Sequence, residues 1–149
     1  MKLSTRTRYG VRLMVSLAER FGEGPVFLKE VAAEQEISEK YLSLIVIPLR
    51  SAGLVLSTRG AYGGYTLARQ PNKISLKEVV DALEGDPCLV DCVREPSSCS
   101  RTAICPARDV WQTVGERISE TLSEVTLDQL AADAREKSRG RISKRFDRC

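Results

Sequence analysis

The feature that most constrains the fold of this chain is a glycine-rich segment between two short runs of strand-forming residues. Residues 54–57 and 65–67 predict two strands, and the sequence TRGAYGG at 58–64 predicts a tight hairpin between them. Apolar residues recur at helical spacing in three segments before the hairpin, at 5–21, 28–34 and 39–51. Two closely spaced helices followed by a hairpin are typical of a winged helix-turn-helix. We therefore predict a mostly α-helical fold with a small β wing.

The ends of several helices carry recognisable signals. Ser38 is a good N-cap for the third helix, and Gly53 suits the left-handed conformation that ends it. The capping box at residues 75–78 predicts a fourth helix that stops at Gly85. These elements together predict a winged helix-turn-helix domain over residues 1–85.

The second half of the chain divides into three parts. Residues 86–105 have no periodicity and contain four cysteines, so we predict a loop. Residues 106–134 predict a long helix that begins at Pro106 and a short final helix that ends near Ala134. Residues 135–149 are basic and polar, which predicts a disordered tail.

The long helix has more apolar surface than one small domain covers. Its stripe consists of Val110, Trp111, Val114, Ile118, Leu122 and Val125. Two copies of the chain that pack these helices together bury the stripe, so we predict a homodimer. Packing within one chain is the alternative.

The charge distribution points to a polyanion as partner of the first half. The net charge is +3, but it is unevenly distributed. Residues 1–75 carry eleven Lys or Arg and only six Glu, whereas residues 76–134 carry five Lys or Arg and twelve Asp or Glu. The hairpin tip adds Arg59, whose guanidinium suits a phosphate or a narrow minor groove, beside glycines that allow close approach of the backbone. We therefore predict contact with double-stranded DNA; an ordinary basic surface hairpin is the alternative.

Composition excludes several other functions. The chain has 149 residues and no histidine, so mechanisms that need an imidazole base or a histidine-bound metal are excluded. No apolar run approaches the roughly 18 residues that span a bilayer, and no signal sequence follows Met1. We therefore expect a cytoplasmic protein without membrane contact, and no substrate pocket or acid–base pair indicates an enzyme.

Four of the five cysteines form a cluster with the spacing Cys88-x3-Cys92-x6-Cys99-x5-Cys105. The paired C-x2-C knuckles of structural zinc sites are missing, whereas an iron–sulfur cluster accepts thiolates from loosely spaced loops. Zinc, redox-active thiols and a transient disulfide remain alternatives at this point. Cys105 precedes Pro106 and is predicted to be the N-cap of the long helix, where the helix dipole favours a thiolate. Cys149 is predicted to have no role in the cluster.

Several segments together resemble the IscR-type (iron–sulfur cluster regulator) family of bacterial winged-helix transcription factors. The most specific are LRSAGLV at 49–55 and RGAYGGY at 59–65, supported by MKLSTRTRYG at 1–10, ISEKYL at 37–42 and the cysteine loop. The resemblance covers residues 1 to about 130. It implies a homodimer that binds a palindromic promoter and a cluster in the loop that modulates this binding.

The resemblance also implies roles for individual residues. Cys92, Cys99 and Cys105 match the three cluster ligands, Arg59 and Gly60 match the DNA contacts of the wing, and the exposed face of the recognition helix corresponds to Lys40, Tyr41 and Ser43. The complete set of predicted DNA contacts is Ser38, Lys40, Tyr41, Ser43, Arg59, Gly60 and Tyr62. We expect a [2Fe–2S] cluster, with [4Fe–4S] as the alternative.

Three positions depart from the family pattern. Members that sense cluster supply have a histidine three residues after the last cysteine, where this chain has Arg108, and nitric-oxide-sensing relatives use an N-terminal aspartate where this chain has Arg8. The fourth ligand is therefore open, and Cys88 is the simplest candidate, ahead of Asp91 or Asp109. Ser43 stands where cluster-sensing members often have glutamate, so target preference does not transfer.

The sequence thus predicts a homodimeric transcriptional regulator controlled by an iron–sulfur cluster. The main alternative is a cluster-free regulator of the same fold that responds to thiol oxidation or to a partner protein, which the missing histidine favours. A third hypothesis is a small electron carrier or thiol enzyme. The predicted position of Cys105 at a helix N-terminus favours it.

Overall fold

The computed structural model of the chain describes residues 3–85 and 88–146. Within these residues the elements are α1 (Thr5–Glu19), α2 (Leu28–Gln35), α3 (Glu39–Ser51), β1 (Val55–Thr58), β2 (Gly64–Leu67), α4 (Leu76–Glu84), α5 (Asp91–Arg94), α6 (Pro106–Glu124) and α7 (Leu127–Phe146). No helix in this part of the chain is both long and apolar enough to cross a membrane. The predicted fold class, mostly α-helical with a small two-stranded wing, is confirmed.

The winged helix-turn-helix forms around a continuous apolar core. β1 and β2 pair antiparallel, from Val55 opposite Leu67 to Thr58 opposite Gly64. Helix α1 contacts β2, and helix α3 contacts β1. The fully buried side chains of this core include Leu13, Met14, Leu42, Ile45, Leu49 and Leu54.

Local signals in the sequence fix the recognition helix. The side chain of Ser38 accepts a hydrogen bond from the backbone N–H of Tyr41, so it caps α3 as predicted. Gly53 follows the helix with φ of +70°, the left-handed conformation that glycine adopts without strain. The turn between α2 and α3 depends on Glu36, a non-glycine residue with φ of +53°.

The capping box at the start of α4 is present as predicted. The Ser75 hydroxyl accepts from the Glu78 amide, and the Glu78 carboxylate accepts from the Ser75 amide. Partial burial raises the pKa of Glu78, but hydrogen bonds from Arg69 and Ser75 outweigh this effect and hold the pKa below its ordinary value. Glu78 is therefore ionised at neutral pH and anchors the helix start.

The division between the winged domain and the final helix differs from the prediction. Leu127 and Ala131 of α7 are buried in the same core as α1, and Leu130 packs against it. The Leu127 amide donates to the carbonyl of Ile74 at 3.0 Å, which joins α7 to the segment just before α4. Apolar residues at i, i+3 and i+4 explain this packing, because they place one stripe of α7 against the domain.

The end of the final helix also differs from the prediction. α7 continues to Phe146 instead of ending near Ala134 before a disordered tail. Residues 135–146 lack an apolar period, but they contain no proline and are rich in Arg and Lys, which favour helix. The Arg135 guanidinium donates to the carbonyl of Glu19 at 2.9 Å and ties this segment to α1. Cys149 and residues 86 and 87 of the predicted loop lie outside the described residues.

Replacement of Leu127 tests whether α7 belongs to the core. Because Leu127 is fully buried, we expect Leu127→Ala to lower the free energy of unfolding by about 2–5 kcal/mol. Asp133→Ala, on an exposed position of the same helix, should change it by less than about 0.5 kcal/mol. Urea unfolding followed by circular dichroism measures both, and equal stability of the two variants would contradict this packing.

Candidate DNA-binding surface and cysteine loop

The outward face of α3 presents the predicted contact residues Lys40 and Ser43. Both are exposed, while the opposite face of the helix is buried in the core. The Ser43 hydroxyl donates to the carbonyl of Glu39 at 3.0 Å, so its proton is used within the helix. Ser38 lies at the N-terminus of the same helix, where its oxygen serves as the cap.

Tyr41 has a different position from the other residues predicted to contact DNA. Its side chain is half-buried, and its ring meets that of Tyr9 edge-on with 5.9 Å between the ring centroids. The Arg12 guanidinium lies over the other ring, 5.4 Å from the centroid of Tyr9. Tyr41 thus joins α3 to α1, and its ring supports the helix.

The wing tip projects into solvent. Arg59 is exposed, and Tyr62 is 91% exposed. Gly60 has φ of +109°, as predicted for a residue that lets the backbone turn tightly. At Gly64 a Cβ atom would lie only 2.6 Å from the carbonyl oxygen of Val26, so this glycine lets the hairpin approach the residues before α2.

A cleft of about 360 Å³ separates the wing from the two helices of the motif. Its lining residues are Phe27, Leu28, Lys29, Glu39, Ser43, Thr58, Gly60, Gly63, Gly64 and Tyr65. Lys29, in the first turn of α2, is a lining residue that the sequence did not predict. Phe27 at the N-cap makes no side-chain hydrogen bond to the helix, so the first amides of α2 lack a side-chain cap.

Three apolar side chains next to this surface were also missed. Leu44 and Ile47 of α3 and Leu56 of β1 are each more than half exposed. Ile47 and Leu56 line the same shallow cavity, of about 460 Å³, together with Arg50. Apolar residues occur on every side of α3, so their spacing alone does not distinguish the inner face from the outer one.

The cysteine loop contains only short helical turns. Cys99 is exposed, Cys88, Cys92 and Cys105 are half-buried, and none of the four forms a disulfide. Among residues 3–85 and 88–146, no three Cys, Asp or Glu side chains lie close enough to hold a metal ion. The four predicted ligands are therefore of the right chemical type and accessible, but this conformation does not bring them together.

The junction between the loop and α6 is organised by Arg108. Cys105 is the N-cap residue of α6, as predicted. One turn later, the Nε of Arg108 donates to the carbonyl of Cys92 at 3.1 Å, and the guanidinium lies 3.8 Å from the carboxylate of Asp109. The side chain of Arg108 is only 21% exposed, so this contact links the loop to the first turn of α6.

The N-terminal half of α6 carries an exposed apolar face. No residue of this helix is fully buried, and Val110, Trp111 and Val114 are exposed. Farther along the stripe, Ile118 and Leu122 are half-buried, and α6 as a whole contacts α4. Packing within the chain therefore covers only the second half of the predicted stripe.

Comparisons with known proteins agree with this architecture. The family described as Rrf2, iron-dependent transcriptional regulator, matches residues 3–133. The protein rrf2 of Nitratidesulfovibrio vulgaris is 41% identical over 134 residues, which cover 90% of this chain and 89% of that protein.

Two solved structures are similar in both fold and sequence. The global cysteine regulator CymR of B. subtilis has a TM-score of 0.73 and 40% identity, with 89% of this chain and 97% of that chain covered. IscR of T. potens has a TM-score of 0.75 and 40% identity, with 92% of this chain and 90% of that chain covered. The chain therefore belongs to the Rrf2 family of transcriptional regulators, as its resemblance to IscR-type proteins indicated, and it is a DNA-binding regulator and not an enzyme.

Proposed function

We propose that this protein acts in the bacterial cytoplasm as a homodimer that binds palindromic promoter DNA, and that its cysteine loop controls this binding. The observation that carries the proposal is the shared border of the cleft between wing and helices, where Ser43, Lys29 and Gly60 meet. A duplex that enters along this border meets the N-terminal half of α3 and the wing tip together. Such a docking mode is common to winged-helix proteins.

The DNA contacts follow from the chemistry of each side chain. Lys40 and Ser43 face a major groove, where Lys40 donates to base or phosphate acceptors. Arg59 and Tyr62, with the backbone of Gly60, contact the phosphates or the minor groove beside it. Ser38 holds the N-terminus of α3 in place, and Tyr41 fixes the helix through its contact with Tyr9.

Removal of the wing arginine tests the DNA contact. We expect Arg59→Ala to weaken binding to a duplex selected by the wild-type protein and to reduce the slope of log affinity against log salt by about one. Lys73→Ala is the control, since it also removes one positive charge. Lys73 is exposed, lies outside the wing and does not line the cleft. Fluorescence anisotropy at several salt concentrations measures both, and equal slopes for Arg59→Ala and wild type would remove the wing from the binding surface.

The homodimer is proposed from the uncovered half of the α6 stripe. Trp111 remains 45% exposed between two exposed valines, a large apolar surface for a helix in water. The same face of a second copy covers it in a symmetric arrangement, in which each helix contacts its equivalent. Two recognition helices related in this way match the symmetry of a palindrome.

A charge on this stripe should separate the subunits. We expect Trp111→Glu to shift the protein from dimer to monomer and to lower affinity for a duplex with two half-sites, because a carboxylate cannot be buried there without a partner. Thr113→Glu, on the opposite face of α6, should remain dimeric. Sedimentation velocity measures the mass of each, and a monomeric wild-type protein would contradict the proposal.

Control by the loop is proposed from its position in the chain. The loop connects α4, which packs on the winged domain, to α6, which carries the dimer face. A change in the loop therefore alters how each domain is held relative to the dimer axis. Such a change shifts DNA affinity by favouring one arrangement of the two recognition helices.

The residues that would hold an iron–sulfur cluster are Cys92, Cys99 and Cys105, with Cys88 as the fourth ligand. Thiolates from a loop are the ordinary ligands of such clusters, and a bound cluster supplies a redox-sensitive group at the start of α6. The iron-dependent description of the family and the similarity to T. potens IscR support this assignment. Gathering the four thiols requires a different loop conformation from the one described.

A cluster-free regulator is the second candidate, and Arg108 is the observation that favours it. A guanidinium cannot ligate a metal, and here it holds the loop through the carbonyl of Cys92. The similarity to CymR, a cysteine regulator, also supports a cluster-free regulator. In this case oxidation of the loop thiols, or a partner protein, controls DNA binding.

Iron and sulfide assays distinguish the two candidates. We expect anaerobically purified wild-type protein to contain both elements and Cys92→Ser protein to lose them, whereas Cys149→Ser protein keeps them. DNA affinity of the wild type should differ between the loaded and the metal-free form. Absence of iron and sulfide from the wild type would exclude the cluster and leave the cluster-free regulator.

A further inference from the structure

The DNA-binding surface contains a patch of exposed apolar side chains that the proposed contacts do not use. Leu44, Ile47 and Leu56 are exposed by 57%, 55% and 56%, and we call these three residues the apolar patch. Large aliphatic side chains in a group on a surface that otherwise contacts water indicate an interaction site.

Helix geometry places two members of the patch beside the proposed DNA contacts. Residues at i, i+3, i+4 and i+7 share one face of a helix, so Leu44 and Ile47 lie on the same side of α3 as Lys40 and Ser43. The opposite side is buried, through Leu42, Ile45, Val46 and Leu49. A duplex that reaches Lys40 and Ser43 therefore also meets Leu44 and Ile47.

The polar groups on this face supply few hydrogen bonds to bases. The Ser43 proton is donated to Glu39, and Lys40 is the only cation on the first two turns of α3. In the major groove, the C5-methyl group of thymine is the apolar feature among the base edges. An aliphatic side chain at the groove floor therefore favours thymine over the other three bases.

We infer that Leu44 and Ile47 are specificity-determining residues that contact thymine methyl groups in each half-site. Leu56 extends the apolar surface beside Ile47, in the cavity that they share. This inference rests on the proposed DNA binding and adds which bases the recognition helix selects.

The charges around the apolar patch favour DNA over a protein as its occupant. Lys40 precedes the patch on α3, Arg50 lines the cavity beside Ile47, and Arg59 stands on the wing. Cations at the edges with apolar groups between them match a groove, in which phosphates border the bases. Continuity with the face of Lys40 and Ser43 supports the same partner.

Removal of single methyl groups from the DNA tests the inference. The wild-type protein first selects binding sites from a random duplex library, and each thymine of the selected half-site is then replaced by deoxyuridine, which lacks only the methyl group. We expect the replacement at the contacted positions to weaken wild-type binding about fourfold for each buried methyl. Fluorescence anisotropy gives the affinity ratio of thymine to uracil duplexes.

Matched variants assign the methyl contacts to residues. Leu44→Ala and Ile47→Ala should each bring the thymine-to-uracil ratio close to one at the position that the residue contacts. Arg59→Ala should bind both duplexes more weakly and keep the ratio, because Arg59 is proposed to contact the phosphates or the minor groove, where there is no thymine methyl group. Both leucine and isoleucine are exposed, so the alanine variants should fold normally, which circular dichroism checks.

The possible failures are distinguishable. If the wild-type protein selects no duplex sequence, the proposed function fails and the inference with it. If it selects a site but binds thymine and uracil duplexes equally, DNA binding stands and the methyl contacts are wrong. If both alanine variants keep the wild-type ratio, the inference is also overturned, and a protein partner becomes the occupant of the apolar patch.

Discussion

The close approach of α1 to α4 at Gly10 is the contact on which the rest of the structure depends. A Cβ atom at this position would lie 2.2 Å from the Cδ1 atom of Leu83 and 3.3 Å from the Cγ2 atom of Ile45, so a larger residue would require these buried side chains to move. α1 also contacts α3, α7 and β2. One helix thereby holds the recognition helix, the wing and α7 in fixed positions, which a protein that reads DNA needs.

The same helix pair connects the winged domain to the cysteine loop. The amide of Ser4, the N-cap of α1, donates to the carboxylate of Glu84 at 2.7 Å, at the end of α4. Hydrogen bonds from Ser4 and Thr7 lower the pKa of Glu84, so the carboxylate is ionised at neutral pH. This stabilisation is present above the ordinary pKa of a glutamate and is lost as the pH falls through the lowered value. Glu84 precedes Gly85, where the chain leaves the domain towards the cysteines.

The sequence predicted those elements whose ends carry local chemistry. Ser38 marks the start of α3 and Gly53 marks its end, and the capping box at Ser75 begins α4. The hydrogen bonds at these helix ends depend on neighbouring residues alone. The apolar spacing of Leu127, Leu130 and Ala131 predicts a stripe on α7, but the surface that covers this stripe is formed by residues distant in sequence, such as Ile74, and no local pattern identifies them. Leu42 and Leu44 are identical side chains two positions apart, yet one is buried and the other exposed. Only the packing of α3 decides between them.

Arg108 shows how one side chain limits the chemistry of the loop. A histidine at this position can ligate a metal from the first turn of α6, whereas a guanidinium is always charged and has no lone pair to offer. The fourth ligand of any cluster must then come from elsewhere, and Cys88 is the remaining loop thiol. In the described conformation the Cys88 thiol lies 3.0 Å from the carbonyl of Val90, and Arg108 holds the carbonyl of Cys92. If the loop gathers its four thiols as proposed, its conformation has to change from the one held by these two contacts, and metal binding and loop conformation are then coupled.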